Sequence, residues 1–379
     1  MNWNRIIVAP DSFKDSISAP RVCRVIQDVI IDNFPQLTVE SIPVSDGGEG
    51  FLEILTENLN LQTISLSVMG PAEKSVEARY GISQKTAYIE MSQASGLQHL
   101  SINQRNPLRT TTYGLGQLIK DALNRGFKEF VLGIGGSATC DGGAGMAQAL
   151  GCKFYDHNGA EISEPLCGGM LKEISDIDCK ELQSKILDCN FKVASDVTNP
   201  LLGENGAVYV YAPQKGAQPN DLEILEKNMK NLNTLFEIKL NKNVKNIAGA
   251  GAAGGLGAGL AAFLNAELKS GSQFILNLLD FENIIRNASA IITGEGRIDG
   301  QTIDGKIISE VIKSARNNQI PVFAICGQMQ SDKIPGIENT IALTDYTIPK
   351  NAIKNPEKYL KLATKDLITE IVSLRHRRK

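Results

Sequence analysis

Acidic side chains directly follow apolar runs at several points of the chain, in some cases beside clustered glycines. The clearest are Asp46, Asp196 and Glu295, in the segments SDGGEG, SDVTNP and GEGRIDG. A carboxylate at a strand end can accept a hydroxyl proton or hold Mg²⁺, and glycine lets a ligand approach the backbone. Helix capping and turn stabilisation are the structural alternative. Several such acids near the cations Lys14 and Arg297 favour phosphoryl transfer, which needs positioned phosphates, a proton acceptor and positive charge.

The longest glycine cluster occupies residues 129–151. Its first residues, 130–132, predict a buried strand, and residues 146–150 predict a helix after a glycine loop. This order brings backbone N–H groups together at a positive helix end, where they can bind a phosphate. The predicted phosphate cradle consists of the N–H groups of Gly135, Gly136 and Ser137. The alternative is a tight turn that binds nothing.

A second glycine-rich segment, GAGAAGGLGAG at 249–259, admits several interpretations. Gly251, Gly254 and Gly255 either extend the cradle as nucleotide-binding residues or only permit close packing. The spacing GxGxxG also matches the dinucleotide fingerprint, so an NAD(P)-dependent enzyme is an alternative. The preceding KNVKNIA is a poor buried strand, which weighs against that fingerprint.

Strands and helices alternate along most of the chain, with a β-rich stretch from Leu61 to Met91. That order predicts an α/β fold with mostly parallel sheets covered on both faces. In such sheets ligands bind outside the carboxyl ends of the strands. Five polar loops follow predicted strands, at Asp11–Asp15, Ser45–Gly50, Gly133–Gly143, Ser195–Asn199 and Gly294–Asp299. We expect these loops to converge on one cleft.

Length and composition limit the function classes. The 379 residues predict two domains. The net charge of −3 argues against a nucleic-acid partner. The three histidines lie outside the glycine and acidic segments, which argues against a Ser-His-Asp triad or a histidine metal site. The uncharged segment 246–266 is long enough for a bilayer, but its glycines and alanines predict a buried loop and helix, with no membrane partner.

The cysteines point to a reducing compartment. There are seven of them with no CxxC pair, which predicts buried thiols and neither a disulfide framework nor a zinc site. The apolar run near the amino terminus is too short to predict a signal peptide. We therefore expect a cytoplasmic protein, and a homo-oligomer is left open.

Several of these segments together resemble the signature stretches of a known family. They are VAPDSFKDSISA (8–19), PVSDGGEGF (43–51), GIGGSATCDGGAGMAQALG (133–151), ASDVTNPLLGENGA (194–207), PQKGA (213–217), AGAGAAGGLGAGL (248–260) and TGEGRIDGQT (293–302). They resemble those of bacterial glycerate kinases of type 1, the glycerate 2-kinases, which are unrelated to P-loop and ribokinase-type kinases. The matching stretches extend over nearly the whole chain.

The resemblance implies ATP-dependent phosphorylation of D-glycerate to 2-phosphoglycerate, with ADP released, in glyoxylate or sugar-acid catabolism. The motifs alone leave 3-phosphoglycerate open as the product. The resemblance also implies two α/β domains, one flavodoxin-like and one restriction-endonuclease-like, with the active site in the cleft between them. We place the first domain at 1–82 plus 290–379 and the inserted domain at 83–289.

The residue roles are hypotheses that go beyond the resemblance. Asp196 is the predicted base, with Lys14 and Arg297 as catalytic cations. The predicted substrate-binding residues are Ser12, Ser45 and Asp46. Mg²⁺ is assigned to Asp46 and Glu49, and the nucleotide to Glu295 in addition to the glycines above. ATP and D-glycerate are the expected partners. A non-catalytic sugar-acid-binding sensor is the alternative from another functional class.

Overall fold

The fold is α/β. A computed structural model describes residues 4–14, 16–48, 50–298, 307–330 and 334–377. Its strands are β1 (Arg5–Pro10), β2 (Thr38–Ser41), β3 (Gln62–Met69), β4 (Ser75–Ser83), β5 (Thr86–Glu90), β6 (Glu129–Gly133), β7 (Lys153–Tyr155), β8 (Asp176–Asp178), β9 (Asn190–Ala194), β10 (Glu267–Lys269), β11 (Ala290–Ile298), β12 (Val322–Met329) and β13 (Asn339–Ala342). Most neighbouring strands in the two large sheets are parallel, which confirms the predicted class.

Helices separate most of these strands, as the alternating apolar patterns predict. They are α1 (Ala19–Asn33), α2 (Phe51–Leu59), α3 (Ser92–Ser95), α4 (Tyr113–Asn124), α5 (Ala144–Ala149), α6 (Lys180–Lys185), α7 (Ala207–Tyr211), α8 (Pro219–Lys239), α9 (Ala252–Leu264), α10 (Gly271–Leu278), α11 (Phe281–Ile285), α12 (Ile307–Asn317), α13 (Pro349–Lys354) and α14 (Pro356–Arg377). In α1, for example, Val22, Ile26 and Ile30 recur at helical spacing and are all buried.

The chain forms two compact units. The terminal unit contains residues 1–46, 53–59 and 272–379, and the inserted unit contains 47–52 and 60–271. These bounds differ from the predicted ones, 1–82 plus 290–379 and 83–289. The difference arises because β3 and β4 pair with each other and β4 pairs with β5, which places all three in one sheet of the inserted unit.

The terminal unit is built on a parallel sheet of five strands in the order β13-β12-β11-β1-β2. β1 lies between β11 and β2, and its successive residues Ile6 to Ala9, which point to alternate faces of the sheet, are all buried. Burial on both faces explains the continuous apolar run. Numbered within this unit, the strand order is 2-1-3-4-5, and the direction of winding reverses between β1 and β11. In doubly wound sheets, ligands bind beside the carboxyl ends of the strands at such a reversal.

The inserted unit is built on a mixed sheet of six strands in the order β10-β9-β6-β5-β4-β3. β5, β6, β9 and β10 are parallel, whereas β3 and β4 run antiparallel. Phe130 on β6 stacks on Phe191 of the neighbouring β9, with ring centroids 4.5 Å apart. Because β5, β6 and β9 are parallel, they end at one edge of the sheet, where the segments after Glu90, Gly133 and Ala194 begin.

Two predictions about local structure are wrong. The loop expected at Gly294–Asp299 is mostly strand, because β11 continues to Ile298 and pairs with β12 beyond Glu295. Cys152 and Cys179 form a disulfide, although all cysteines were expected to be thiols. Lys153 pairs with Asp178 in the β7–β8 ladder, which brings the two adjoining cysteines together. The other five cysteines are free.

The uncharged segment 246–266 forms a glycine turn followed by the buried helix α9, as predicted. Backbone at Ala253, Gly254 and Gly255 is left-handed, and regular helix follows. None of the helices in the described part of the chain combines the length and hydropathy needed to cross a bilayer.

Candidate active site

In the terminal unit, polar residues gather at the carboxyl ends of β1, β2 and β11. The backbone N–H of Asp11, just after β1, donates to Gly294 O on β11 at 2.8 Å. The Asp11 carboxylate accepts a hydrogen bond from the N–H of Ser12 at 2.6 Å. The sheet register thus sets Asp11 beside the part of β11 that carries Glu295.

Negative charge is concentrated at this edge. The pKa of Asp11 is raised well above its ordinary value, chiefly because the carboxyl is desolvated, and further because Asp46 and Glu295 repel its charge. Asp46 and Glu295, both predicted site residues, therefore act on the carboxyl of Asp11. Asp11 lies in the first predicted polar loop, but no functional role was predicted for it. Its position directly after a buried strand was the signal for it.

The other predicted residues of the terminal unit differ in exposure. Ser45 is buried, Ser12 is half-buried, and Lys14 is exposed. Arg297 is exposed on β11, where its guanidinium donates to the side-chain oxygen of Gln330 at 2.5 Å. Glu49, one of the two predicted metal ligands, lies outside the described residues.

In the inserted unit, the predicted phosphate cradle is anchored on both sides. The N–H of Gly135 donates to Gly47 O at 3.3 Å, and Gly136 O accepts from the N–H of Leu97 at 2.9 Å. Gly136 is exposed and has a φ of +70°, which favours glycine at this position. Ser137 is buried. The turn therefore presents backbone, without a Cβ, at its exposed point.

Asp141 organises the helix that follows. Its carboxylate is fully buried and accepts hydrogen bonds from the N–H and hydroxyl of Thr112, at 2.8 and 2.7 Å, and from the N–H groups of Gly143 and Gly145. Burial raises the pKa of Asp141, whereas these donors lower it. All four donors stabilise the charged carboxylate, so Asp141 joins the starts of α4 and α5.

The glycines of the 249–259 segment make close backbone contacts. A Cβ at Gly254 would lie 2.1 Å from Thr139 O, and a Cβ at Gly251 would lie 2.2 Å from Pro200 O. The N–H groups of Gly251 and Gly255 already donate to Asn199 O and Gly251 O. Of the two roles considered for Gly251, Gly254 and Gly255, the structure supports close packing. The residues before Gly249 form turns and not the strand that a dinucleotide fingerprint requires.

Asp196 follows the end of β9 and is half-buried. Its Oδ1 accepts a hydrogen bond from the Ser270 hydroxyl at 2.9 Å. Ser270 follows β10, which pairs with β9, and the N–H of Ser195 donates to Lys269 O at 3.1 Å. Asp196 is therefore held at the same sheet edge as the glycine loop, and Ser270 is a partner that the sequence did not indicate.

No functional role was predicted for two further charged residues, Glu90 and Lys215. Glu90, at the end of β5, accepts hydrogen bonds from the N–H groups of Gly50 and Leu52 and from the Ser92 hydroxyl. Lys215 is 1% exposed, and its ammonium donates to Ser137 Oγ at 2.6 Å and to Thr139 O at 2.7 Å. Burial lowers the pKa of Lys215 to about 8. In the sequence, the feature that could have indicated a role for Lys215 was its place in the motif PQKGA.

Comparison with known proteins shows the family to which the chain belongs. The sequence model described as the glycerate kinase family matches residues 6–372. The chain belongs to the glycerate kinase family. It is 45% identical over 328 residues to a glycerate kinase of Halalkalibacterium halodurans, with 86% of each chain covered. It is 44% identical over 330 residues to glycerate 2-kinase of Escherichia coli, again with 86% of each chain covered.

A solved structure is similar along the whole chain. A crystal structure assigned to glycerate kinase 2 of Salmonella typhimurium matches with a TM-score of 0.85 and 37% identity, covering 99% of this chain and 100% of that one. Membership of the glycerate kinase family confirms the resemblance drawn from the motifs. It also confirms the prediction of a kinase, a phosphotransferase whose acceptor is an alcohol group. The roles of individual residues stay predictions.

Substitution of Gly254 tests the close packing. Gly254→Ala should lower the free energy of unfolding by about 2–4 kcal/mol, because Ala strains the left-handed backbone and its Cβ collides with Thr139 O. Gly203→Ala is the control, since Gly203 has a φ of +91° but nothing within 4 Å of its Cβ position. It should lose only about 1–2 kcal/mol. Equal losses in urea unfolding would contradict the packing role.

Lys215 makes stability depend on pH. Its pKa is about 8 in the folded protein against an ordinary 10.5, so between these values the unfolded chain binds a proton that the folded chain has lost. This group therefore makes the free energy of unfolding rise as pH rises. From pH 7 to 9.5, wild type should gain roughly 1–2 kcal/mol relative to Lys215→Met. The exposed Lys227→Met retains Lys215, so the difference in free energy of unfolding between it and wild type should not change with pH. A constant difference between wild type and Lys215→Met would refute the assignment.

Proposed function

We propose that this protein transfers the γ-phosphate of ATP to a hydroxyl of D-glycerate and releases ADP and 2-phosphoglycerate. The choice of 2-phosphoglycerate as the product is based on the similarity to Escherichia coli glycerate 2-kinase. Formation of 3-phosphoglycerate by the same residues is the second candidate, because the strand-end loops do not discriminate between the two hydroxyls. A role in glyoxylate or sugar-acid catabolism and a cytoplasmic location stay predictions, as does a homo-oligomer.

Asp196 is the proposed base. A carboxylate can orient and deprotonate an attacking hydroxyl when it is held within hydrogen-bond reach. The Ser270 hydroxyl fixes one oxygen of Asp196, and partial exposure leaves the side chain accessible to a small acid such as glycerate. Ordered strands on both sides, β9 and β10, supply the rigidity that such a role needs.

The glycine loop is the proposed phosphate cradle: Gly136 and Ser137 supply the donors, and Gly135, whose N–H donates to Gly47 O at 3.3 Å, holds the turn in place. The exposed turn at Gly136 lets a phosphate oxygen reach backbone N–H groups without a Cβ in the way. We assign the 249–259 glycines to the support of this loop and not to the nucleotide. Lys14 and Arg297 are exposed cations suited to the glycerate carboxylate or the γ-phosphate, and Arg297 offers bidentate contact.

The acidic edge of the terminal unit is the proposed place for Mg²⁺. No group of three or more His, Cys, Asp or Glu ligands forms a complete metal site within the described ranges. A kinase Mg²⁺ commonly needs only one or two carboxylates, with phosphates and waters completing its shell. Asp46 and Glu295 both act on the carboxyl of Asp11, whose pKa is raised chiefly by burial and then by their charges. A cation at this edge would offset that repulsion, so Asp46 would hold the metal, with Asp11 and Glu295 beside it. When bound, Mg²⁺ neutralises phosphate charge.

Ser12 and Ser45 are proposed to bind the glycerate hydroxyls. Both hydroxyl side chains follow strands of the terminal unit near the acidic edge, and Ser45 directly precedes Asp46. Glu295 is retained as a nucleotide-binding candidate. The flavodoxin-like assignment of the terminal unit is supported by its strand order of 2-1-3-4-5. The restriction-endonuclease-like assignment of the inserted unit stays a prediction.

One coupled assay tests the function. Purified protein should release ADP from ATP only when D-glycerate and Mg²⁺ are both present, and product analysis should identify 2-phosphoglycerate. Identification of 3-phosphoglycerate would mean that the other hydroxyl of glycerate accepts the phosphate, and the reaction class would be unchanged. Glycerate binding without ADP release would favour a sugar-acid sensor, and NAD(P)-dependent turnover would favour an oxidoreductase.

Removal of the proposed base should separate chemistry from binding. Asp196→Asn should lower kcat by about 10²- to 10⁴-fold, because the amide cannot accept the hydroxyl proton. ATP affinity, measured by calorimetry, should be retained. The matched control is Asp188→Asn, an exposed acid of the same unit, which should keep wild-type kcat. Near-normal turnover in Asp196→Asn would remove Asp196 from the mechanism.

A further inference from the structure

Lys215 is held in the interior by a tightly defined turn. Residues Pro213–Lys215 form a 3₁₀ turn after α7, and the N–H of Lys215 donates to Ala212 O at 3.0 Å. The next residue, Gly216, has a φ of +95°, and a Cβ there would lie 2.3 Å from Arg105 O. Only glycine suits both conditions, so the backbone around Lys215 has little freedom. This turn directs the lysine side chain away from solvent.

The ammonium of Lys215 has its partners on the glycine loop. It donates to Ser137 Oγ at 2.6 Å and to Thr139 O at 2.7 Å, and the side chain is 1% exposed. A buried ammonium is costly unless hydrogen bonds compensate for the lost water. A purely structural position of this shape would accept a methionine at lower cost. The charged group therefore indicates a function that an apolar side chain could not perform.

The hydrogen bond from Lys215 determines what Ser137 can do. A hydroxyl has one donor hydrogen and acceptor lone pairs, and a lysine ammonium can only donate. Ser137 Oγ must therefore accept from Lys215, which turns its own hydrogen toward another acceptor. Phosphate oxygens accept hydrogen bonds and never donate when fully ionised. The Ser137 hydroxyl is thus prepared to donate a hydrogen bond to a phosphate oxygen, beside the N–H group of Gly136.

We propose that Lys215 is a positioning residue for the phosphate cradle: it orients the Ser137 hydroxyl toward an ATP phosphate and holds the turn from Ser137 to Thr139 in its binding shape. This inference rests on the proposed function, since Ser137 binds a phosphate only there. Lys215 itself is enclosed by protein and acts on the nucleotide through Ser137. The ligand class is the phosphate chain of a nucleoside triphosphate.

Steady-state kinetics of Lys215 variants test the proposal. Lys215→Met should raise the KM for ATP by about 10- to 100-fold, the effect of misplacing a positioning group by about 1 Å. The KM for D-glycerate should stay unchanged. Lys215→Arg keeps charged donors and should recover part of the loss. The control is Lys227→Met, an exposed lysine on α8, which should match wild type in both constants. A folded Lys215→Met protein with wild-type KM for ATP would overturn the proposal.

Variants of Ser137 keep the proposal testable if Lys215→Met fails to fold. Ser137→Ala should raise the KM for ATP, whereas Ser137→Thr, which keeps the hydroxyl, should largely retain it. If Lys215→Met is folded, the double variant with Ser137→Ala should be no worse than the more damaged single variant. If the increases in KM for ATP of the two single variants multiplied in the double variant, the link between the two residues would be overturned. A Ser137→Ala protein with wild-type KM for ATP would overturn it as well.

Calorimetric titration of ATP into the wild-type protein separates two kinds of failure. If wild type binds ATP and phosphorylates D-glycerate but Lys215→Met keeps the same ATP affinity, only the role of Lys215 is wrong. If wild type transfers no phosphate to D-glycerate, the proposed function is wrong whatever the variants do. Weakened ATP binding in Lys215→Met and Ser137→Ala, with unchanged binding in Lys227→Met, would support the proposal.

Discussion

The inserted unit depends on the close approach of two backbone segments, 139–143 and 254–259. The N–H of Gly142 donates to Gly254 O at 3.2 Å, and Cβ atoms at Gly254 and Gly259 would lie only 2.1 and 2.2 Å from carbonyl oxygens of the facing segment. A side chain at either position would force the segments apart. The segment 139–143, which follows the turn that we propose to bind phosphate, would then lose this contact. Glycine at Gly254 and Gly259 is therefore a requirement of packing.

Buried charge is treated differently in the two units. In the inserted unit, Asp141 is surrounded by donors and Lys215 by acceptors, so each charge is compensated and holds its surroundings in one arrangement. In the terminal unit, burial chiefly, and then repulsion by Asp46 and Glu295, raises the pKa of Asp11. Perturbed carboxyls in such a group are a feature of sites that bind cations or move protons. The contrast separates charges that hold the glycine loop in one arrangement from carboxyls suited to binding a cation.

Periodicity and strand-end chemistry made most of the elements predictable. The buried run after Arg5 and the apolar face of α1 appear in the sequence as continuous and helical patterns, and both form as expected. The prediction failed at β11, where glycine and charged residues looked like a loop. Pairing with β12 keeps that segment extended, and such pairing depends on residues about 30 positions away. The disulfide between Cys152 and Cys179 was not predicted for the same reason, because it depends on the β7–β8 register.

The sequence by itself determined the α/β class, the glycine loops, the acids at strand ends and the resemblance to the glycerate kinase family, because these are properties of local pattern and of long matching segments. Tertiary structure decided which glycines pack against backbone, which carboxylate faces other carboxylates, and that Lys215 contacts Ser137. Those facts are distances between residues far apart in the chain, such as Lys215 and Ser137, 78 positions apart. Residue type alone contains no information about such a distance, because sheet register and turn geometry set it.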